Sequence, residues 1–144
     1  MKFCCESKTE IPLPPKYTFP QEFNYLNKDN NSFYILEEDE IGYVQCAGEK
    51  LRCCIEFRDH KTGKQYRLAK GINDDQSTQI EMSNGHVTVR IDEILTIEDA
   101  IKVFNEFYKH KILPIDYRIN IINQGFYSKS AQQGDAPEPA SPAR

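Results

Sequence analysis

The chain has 144 residues, 39% of them hydrophobic and 28% charged, with a formal net charge of −4. That is ordinary globular composition, enough for one domain hiding roughly 70% of the surface its unfolded chain exposes. The acidic balance argues against a nucleic-acid binder, which usually carries a basic face, and no apolar run approaches the ~20 residues that span a bilayer.

The N-terminus, Met1 to Lys8, lacks the apolar core of an export signal. Cys4 likewise lacks the apolar stretch that precedes a lipid-modified cysteine, so a cytoplasmic location is expected. Ile11-Pro12-Leu13-Pro14-Pro15 favours an extended segment, because proline blocks helix and restricts the residue before it. A short helix is expected from Thr18, with Pro20 in its first turn and Gln21 completing a capping box. Phe19, Phe23 and Leu26 share its apolar face, and Asp29-Asn30-Asn31-Ser32 ends it as a turn.

Strands follow. Phe33 to Leu36 is the first, and Glu37-Glu38-Asp39-Glu40 is a charged connection. Tyr43 to Ala47 is the second, closed by Gly48-Glu49. Leu51 to Arg58 is the third, joined through Lys61-Thr62-Gly63 to Gln65–Leu68 as a hairpin. Residues 70 to 77 read as loop. Gln79–Met82 and His86–Ile91 flank Ser83-Asn84-Gly85, a strong hairpin signal. A main amphipathic helix is expected over about 96–110. Thr96 and Asp99 form its capping box, and Ile97, Ala100, Ile101, Phe104, Phe107 and Tyr108 form its apolar stripe. Lys109, His110 and Lys111 suit its C-terminal end, and Pro114 prevents continuation. A last strand lies within 115–122. From Gly125 the Ser, Ala, Gln and Pro content buries too little apolar surface for order. The predicted fold is therefore α+β. It is a single domain over 1–124, an antiparallel sheet of about five to six strands with the main helix packed on one face and a short N-terminal helix. A disordered tail occupies 125–144.

Five cysteines cannot all pair within one chain. Cys4-Cys5 and Cys53-Cys54 are adjacent pairs and there is no C-x-x-C. Neighbours on a strand point to opposite faces, which makes a poor zinc site. Read with period two, the third strand puts Leu51, Cys53, Ile55 and Phe57 on one face and Arg52, Cys54, Glu56 and Arg58 on the other. Cys53 is thus expected as a small hydrophobe in the core and Cys54 as a surface cysteine between arginines. A cation nearby lowers a thiol pKa, but no histidine is placed by sequence to act as its base. His60, His86 and His110 are scattered, at a predicted turn, a strand's polar side and a helix end. No phosphate loop, dinucleotide fingerprint, nucleophile elbow or H-E-x-x-H is present. No metal, cofactor or enzyme activity is expected.

Carboxylates cluster instead, at Glu37 to Glu40, Asp74-Asp75 and Asp92-Glu93. Such runs read as solvated turns or as a negative surface that docks on a basic partner. Tyr34, Tyr43 and Tyr66, near these loops, read either as interface anchors or as core.

One arrangement of these elements is distinctive. Tyr43 and Gln45 form a Tyr-x-Gln strand, Glu56-Phe57-Arg58 ends the next strand as Glu-aromatic-Arg, and the later helix closes on Phe107-Tyr108 and a basic turn. Over residues 32 to about 117 this resembles the Imm1-type and related small immunity proteins of bacterial polymorphic toxin systems. The resemblance implies a non-enzymatic inhibitor that binds the C-terminal domain of a cognate toxin and occludes its active site or its substrate's approach. Toxin contacts are expected from Glu37, Glu38, Asp39, Glu40, Tyr43, Glu56, Arg58, Asp74 and Asp75. Glu56 has a competing reading, as a partner of Arg58 or, cross-strand, of Arg67. Neither nucleic acid nor membrane is an expected partner, and the oligomeric state stays open. Two other readings stand beside it: an acidic secretion chaperone that binds an effector, and a small enzyme using Cys54 or a histidine.

Overall fold

The computed structural model describes residues 1–13 and 19–122. Their elements, in order, are β1 (Lys2–Cys5), α1 (Pro20–Phe23), β2 (Phe33–Glu38), β3 (Gly42–Glu49), β4 (Arg52–Asp59), β5 (Gln65–Ala69), β6 (Ser77–Met82), β7 (Gly85–Arg90), α2 (Ile97–His110) and β8 (Arg118–Ile122). A 3₁₀ turn, Ile91–Glu93, precedes α2. Six strands form one antiparallel sheet in the order β1-β2-β3-β4-β5-β8, and β6 and β7 pair separately. The predicted α+β class and the main helix on one sheet face are what the structure has. No helix among the described residues is long and apolar enough to cross a membrane.

Helix α2 forms because its period puts Ala100, Val103, Phe104 and Phe107 on one stripe, and all four are buried. Thr96 is the N-cap, and its N–H donates to Asp99 Oδ2 at 3.0 Å. The stripe packs on the sheet face that carries Phe3, Tyr34, Leu36, Val44, Cys46, Cys53, Ile55 and Leu68. Phe19 and Phe23 close this core from the side, their rings 5.6 and 4.9 Å from Phe104. Fully burying side chains of this size contributes about 1.5–3 kcal/mol each. The helix ends on Lys111, held left-handed at φ 59°, whose N–H donates to Phe107 O at 2.9 Å. Glycine takes that conformation without the Cβ penalty. Lys111→Gly is therefore expected to raise the unfolding free energy by about 0.5–1 kcal/mol, read as a Tm increase of a few degrees.

Several expectations change. β1 was not anticipated; it pairs in register with β2, Phe3 opposite Leu36 and Cys5 opposite Tyr34. Its four residues are too short to show a period, and its partner lies some thirty residues on. Leu51 is not on the apolar face of β4. Glu49 pairs with Arg52, so Lys50 and Leu51 are the two-residue turn and Leu51 is 81% exposed. The N-terminal helix is one turn with Phe19 at its N-cap, although Phe19, Phe23 and Leu26 are buried as their spacing predicts. Thr18 and residues 125–144 lie outside the described residues. The last strand begins only at Arg118.

The hairpin β6–β7 lies across the second face of the sheet, against β3 and β4. Ile80 and Val89 pack there on Ala47 and Cys54 in a small second core. This overlay makes the polar face of the sheet an interior.

Candidate functional site

Strand parity collects the polar side chains on that second face. β3 contributes Tyr43 and Gln45, β4 contributes Glu56 and Arg58, and β5 contributes Gln65 and Arg67. The register sets Tyr43 opposite Arg58 and Gln45 opposite Glu56, then Glu56 opposite Arg67 and Arg58 opposite Gln65. The Tyr-x-Gln and Glu-aromatic-Arg patterns are thus direct cross-strand partners.

Glu56 is fully buried and is the hub. Its Oε2 accepts from Arg67 Nη2 at 2.6 Å and Nε at 3.0 Å, and its Oε1 accepts from Gln65 Nε2 at 3.0 Å. Gln45 Nε2 lies 3.5 Å from the same Oε1, while Gln45 Oε1 is buried and accepts no hydrogen bond among the described residues. Arg67 reaches across to Thr88 O at 3.1 Å and to Glu93 at 3.5 Å. Glu93 is itself buried, accepting from Arg90 N–H at 2.9 Å and from Asn120 Nδ2 at 2.8 Å. Burial is the largest single influence on Arg67 and opposes its charge, but the acidic groups around it, Glu56 foremost and Glu93 with it, together raise the guanidinium pKa further.

Beside this hub Asp92 is buried between Arg90 and Arg118, with Oδ2 2.9 and 2.7 Å from their guanidinium nitrogens. The expected acidic pair Asp92-Glu93 is therefore no solvated turn. It is the covering layer of the polar face, neutralised by three arginines. Asp99, also buried, accepts from Lys70 Nζ at 2.7 Å and Tyr117 Oη at 2.6 Å as well as from Thr96. Burial pushes the Asp92 and Asp99 carboxyls up, but these donors overcome it and hold both below their ordinary values. Groups depressed on folding stabilise fully above the unfolded aspartate value of about 3.9 and lose that contribution as pH falls through the folded values. The unfolding free energy from urea titrations is expected to be flat from about pH 5 to 8 and to fall progressively below about pH 4. Asp99→Asn should make the acid limb shallower. A free energy unchanged down to pH 2.5 would contradict the assignment.

Cys54 is not a surface cysteine. It is fully buried between the sheet and the hairpin; burial drives its pKa well up, only partly countered by Arg67. Cys46 and Cys53 are likewise buried with raised pKa values. A thiol held protonated in an interior is a poor nucleophile. All five cysteines are free. The histidines stay apart: His60 Nε2 is 2.8 Å from Glu37 Oε2, His86 is exposed at the start of β7, and His110 lies 3.5 Å from Glu106 at the end of α2. Among the described residues no three His, Cys, Asp or Glu side chains are grouped to hold a metal.

The residues expected to meet a toxin are only partly brought together. Glu37 and Glu38 end β2, Asp39 and Glu40 turn the chain, and Tyr43 and Arg58 lie at the same end of the sheet. Asp39 and Glu40 are exposed, and Glu38, Asp39 and Glu40 make no ion pair among the described residues. Tyr43 is 8% exposed and Glu56 not at all, so the competing reading of Glu56 as the cross-strand partner of Arg67 describes its place. Asp74 and Asp75 follow β5 at the opposite end. Asp74 is taken up locally, its carboxylate accepting from Gln76 N–H at 3.1 Å and its N–H donating to Asp92 at 3.3 Å. Sequence reasoning did not assign Gln65, Glu93 or Asn120 to this face. The parity of β5 placed Gln65 beside Arg67, but nothing local marks Glu93 or Asn120.

A separate groove of about 1050 Å³ runs between β1, α1 and residues 24–31, lined by Gln21, Asn24, Tyr25, Asn27, Asn30 and Asn31 among others. Asn27 and Asn31 are occupied in fastening that loop: Asn27 Oδ1 accepts from Asp29 and Asn30, and Asn31 binds Ser7, Tyr34 and Tyr25 O.

Compared with known proteins, the chain matches no family model, and no curated protein matches it significantly.

Proposed function

We propose that this chain is an immunity-type protein that binds the C-terminal domain of a cognate bacterial toxin and occludes its active site or its substrate's approach. One observation supports this reading above others. Of the side chains that carry the resemblance, Tyr43, Gln45, Glu56 and Arg58 share one face of two paired strands, and the turn Glu38–Glu40, without an ion pair among the described residues, opens at the end of that same face. In this reading the parts differ in task. Buried Glu56, Gln45 and Arg67 stiffen the platform, and the exposed Asp39 and Glu40, with the half-buried Glu38 and Arg58 beside them, meet the partner. A fixed negative turn raises the rate of encounter with a basic surface, and does so most at low salt.

The test is co-expression with the C-terminal domain of the large protein encoded next to it, scored by growth rescue and by pull-down. Reversing Glu38, Asp39 and Glu40 to lysine is expected to slow association at least ~10-fold at low salt. Asp74→Lys with Asp75→Lys, at the far end of the sheet, should leave the rate within about twofold. Absence of both rescue and complex would remove the proposal; a rate indifferent to the reversal would remove the turn from it.

A further inference from the structure

The two edges of the main sheet are finished differently. At β1 the chain folds back over its own edge. Cys5 and Lys8 exchange backbone hydrogen bonds at 2.9 and 3.2 Å, and Ile11 N–H donates to Phe3 O at 2.7 Å. At β8 the backbone of Arg118–Ile122 pairs with β5 alone among the described residues. Nor does β8 carry the usual devices that blunt an open edge, since it has no proline and no lysine. Its single charge, Arg118, is at its first residue and is occupied by Asp92 and Gly71 O.

The strand is also apolar where it should be wet. Ile119 pairs with Leu68 and Ile121 with Tyr66, which puts both on the α2 side, yet they are 52% and 66% exposed. In the connection from α2, Ile112 is 53% and Ile115 99% exposed. Four such isoleucines within ten residues depart from the scattered single exposures normal on a surface.

We infer that β8 pairs antiparallel with β8 of a second copy about a two-fold axis at Asn120, joining two six-stranded sheets into one. The sequence Arg-Ile-Asn-Ile-Ile is self-complementary in that register. Ile119 faces the partner's Ile121 on both sides of the axis, so four isoleucines meet on the α2 side. The two Arg118 residues fall at opposite ends, each already neutralised, and no carboxylate lies in residues 117–122. A centre one residue to either side shortens the overlap and separates the isoleucine pairs. Five paired residues and these side chains cover somewhat less than the roughly 800 Å² per partner of a standard interface. The dimer is accordingly concentration-dependent, with a Kd on the order of micromolar. This inference is independent of the proposed immunity role.

The test uses the full chain. Sedimentation equilibrium across the micromolar range should give a reversible dimer, and Ile121→Lys should raise its Kd at least ~10-fold while leaving circular dichroism unchanged. Ile119→Cys and Ile121→Cys, oxidised together, should give a disulfide-linked dimer several-fold more than either variant oxidised alone, because position 119 faces 121 and not itself. The parent chain is the control, since its only partly exposed thiol, Cys4, is on the opposite edge strand. A monomer at every concentration overturns the inference. So does a dimer that survives Ile121→Lys or whose mixed variants fail to cross-link.

Discussion

Arg67→Ala is expected to lower the unfolding free energy by about 3–5 kcal/mol, the range for breaking a buried ion pair from one side. Removing the guanidinium leaves Glu56, fully buried, and Glu93, 2% exposed, without their shared cation. Gln65 and Asn120 still donate to them, but neutral amides do not offset two carboxylates in one interior. Arg67→Lys should recover only part of the loss, because a point ammonium cannot reach Glu56, Glu93 and Thr88 O together. Replacing the pair as Glu56→Gln with Arg67→Met should cost less than Arg67→Ala alone, since the uncompensated charge at Glu56 disappears. Urea denaturation of the three variants decides the matter. A loss under about 1 kcal/mol for Arg67→Ala would mean that water reaches the network.

Gly42→Ala is expected to be as damaging, for a purely steric reason. Gly42 sits at φ +150°, and a Cβ built there would lie 1.8 Å from Arg58 O, a backbone atom of the paired strand. β3 and β4 cannot both keep their register around that contact. A loss above about 3 kcal/mol, or failure to fold, is the expected outcome. Gly71→Ala provides the comparison. It also has positive φ, at +79°, but nothing lies within 4 Å of its added Cβ, so backbone strain alone should cost about 1 kcal/mol. Thermal unfolding of the pair separates clash from strain; equal losses would show that the β3–β4 hairpin yields. Gly42 also anchors the start of β3 beside the acidic turn.

How far these features could be read from the chain depends on their range. The main helix was legible because everything that makes it is local: the Thr96–Asp99 box, the 3.6-residue stripe and the basic last turn. The parity of β4 was legible too, and it assigned Cys53, Ile55 and Phe57 to the inner face. Leu51 failed because parity does not say where a strand starts, and the two-residue turn took it out of the ladder. The opposite face was read as surface since Arg52, Glu56 and Arg58 are charged. Periodicity shows which residues share a face, not whether a second layer covers it. That layer comes from β6–β7 and the Ile91–Glu93 turn, up to some forty residues further on, and a paired interior carboxylate has the same sequence appearance as a solvated one. The same limit divides the expected binding residues. Glu37 to Glu40 and Tyr43 are neighbours by sequence, but only the direction of β5 reveals that Asp74 and Asp75 emerge at the other end.

The connectivity also bears on how the chain is made. β2 to β5 are a consecutive meander, complete once Ala69 leaves the ribosome. The lids of both its faces, β6–β7 and then Ile97–His110, come afterwards, and β8 comes last. At ~5–20 residues per second the nascent ribbon waits a few seconds with Leu36, Val44, Ile55 and Leu68 bare to solvent or to a chaperone.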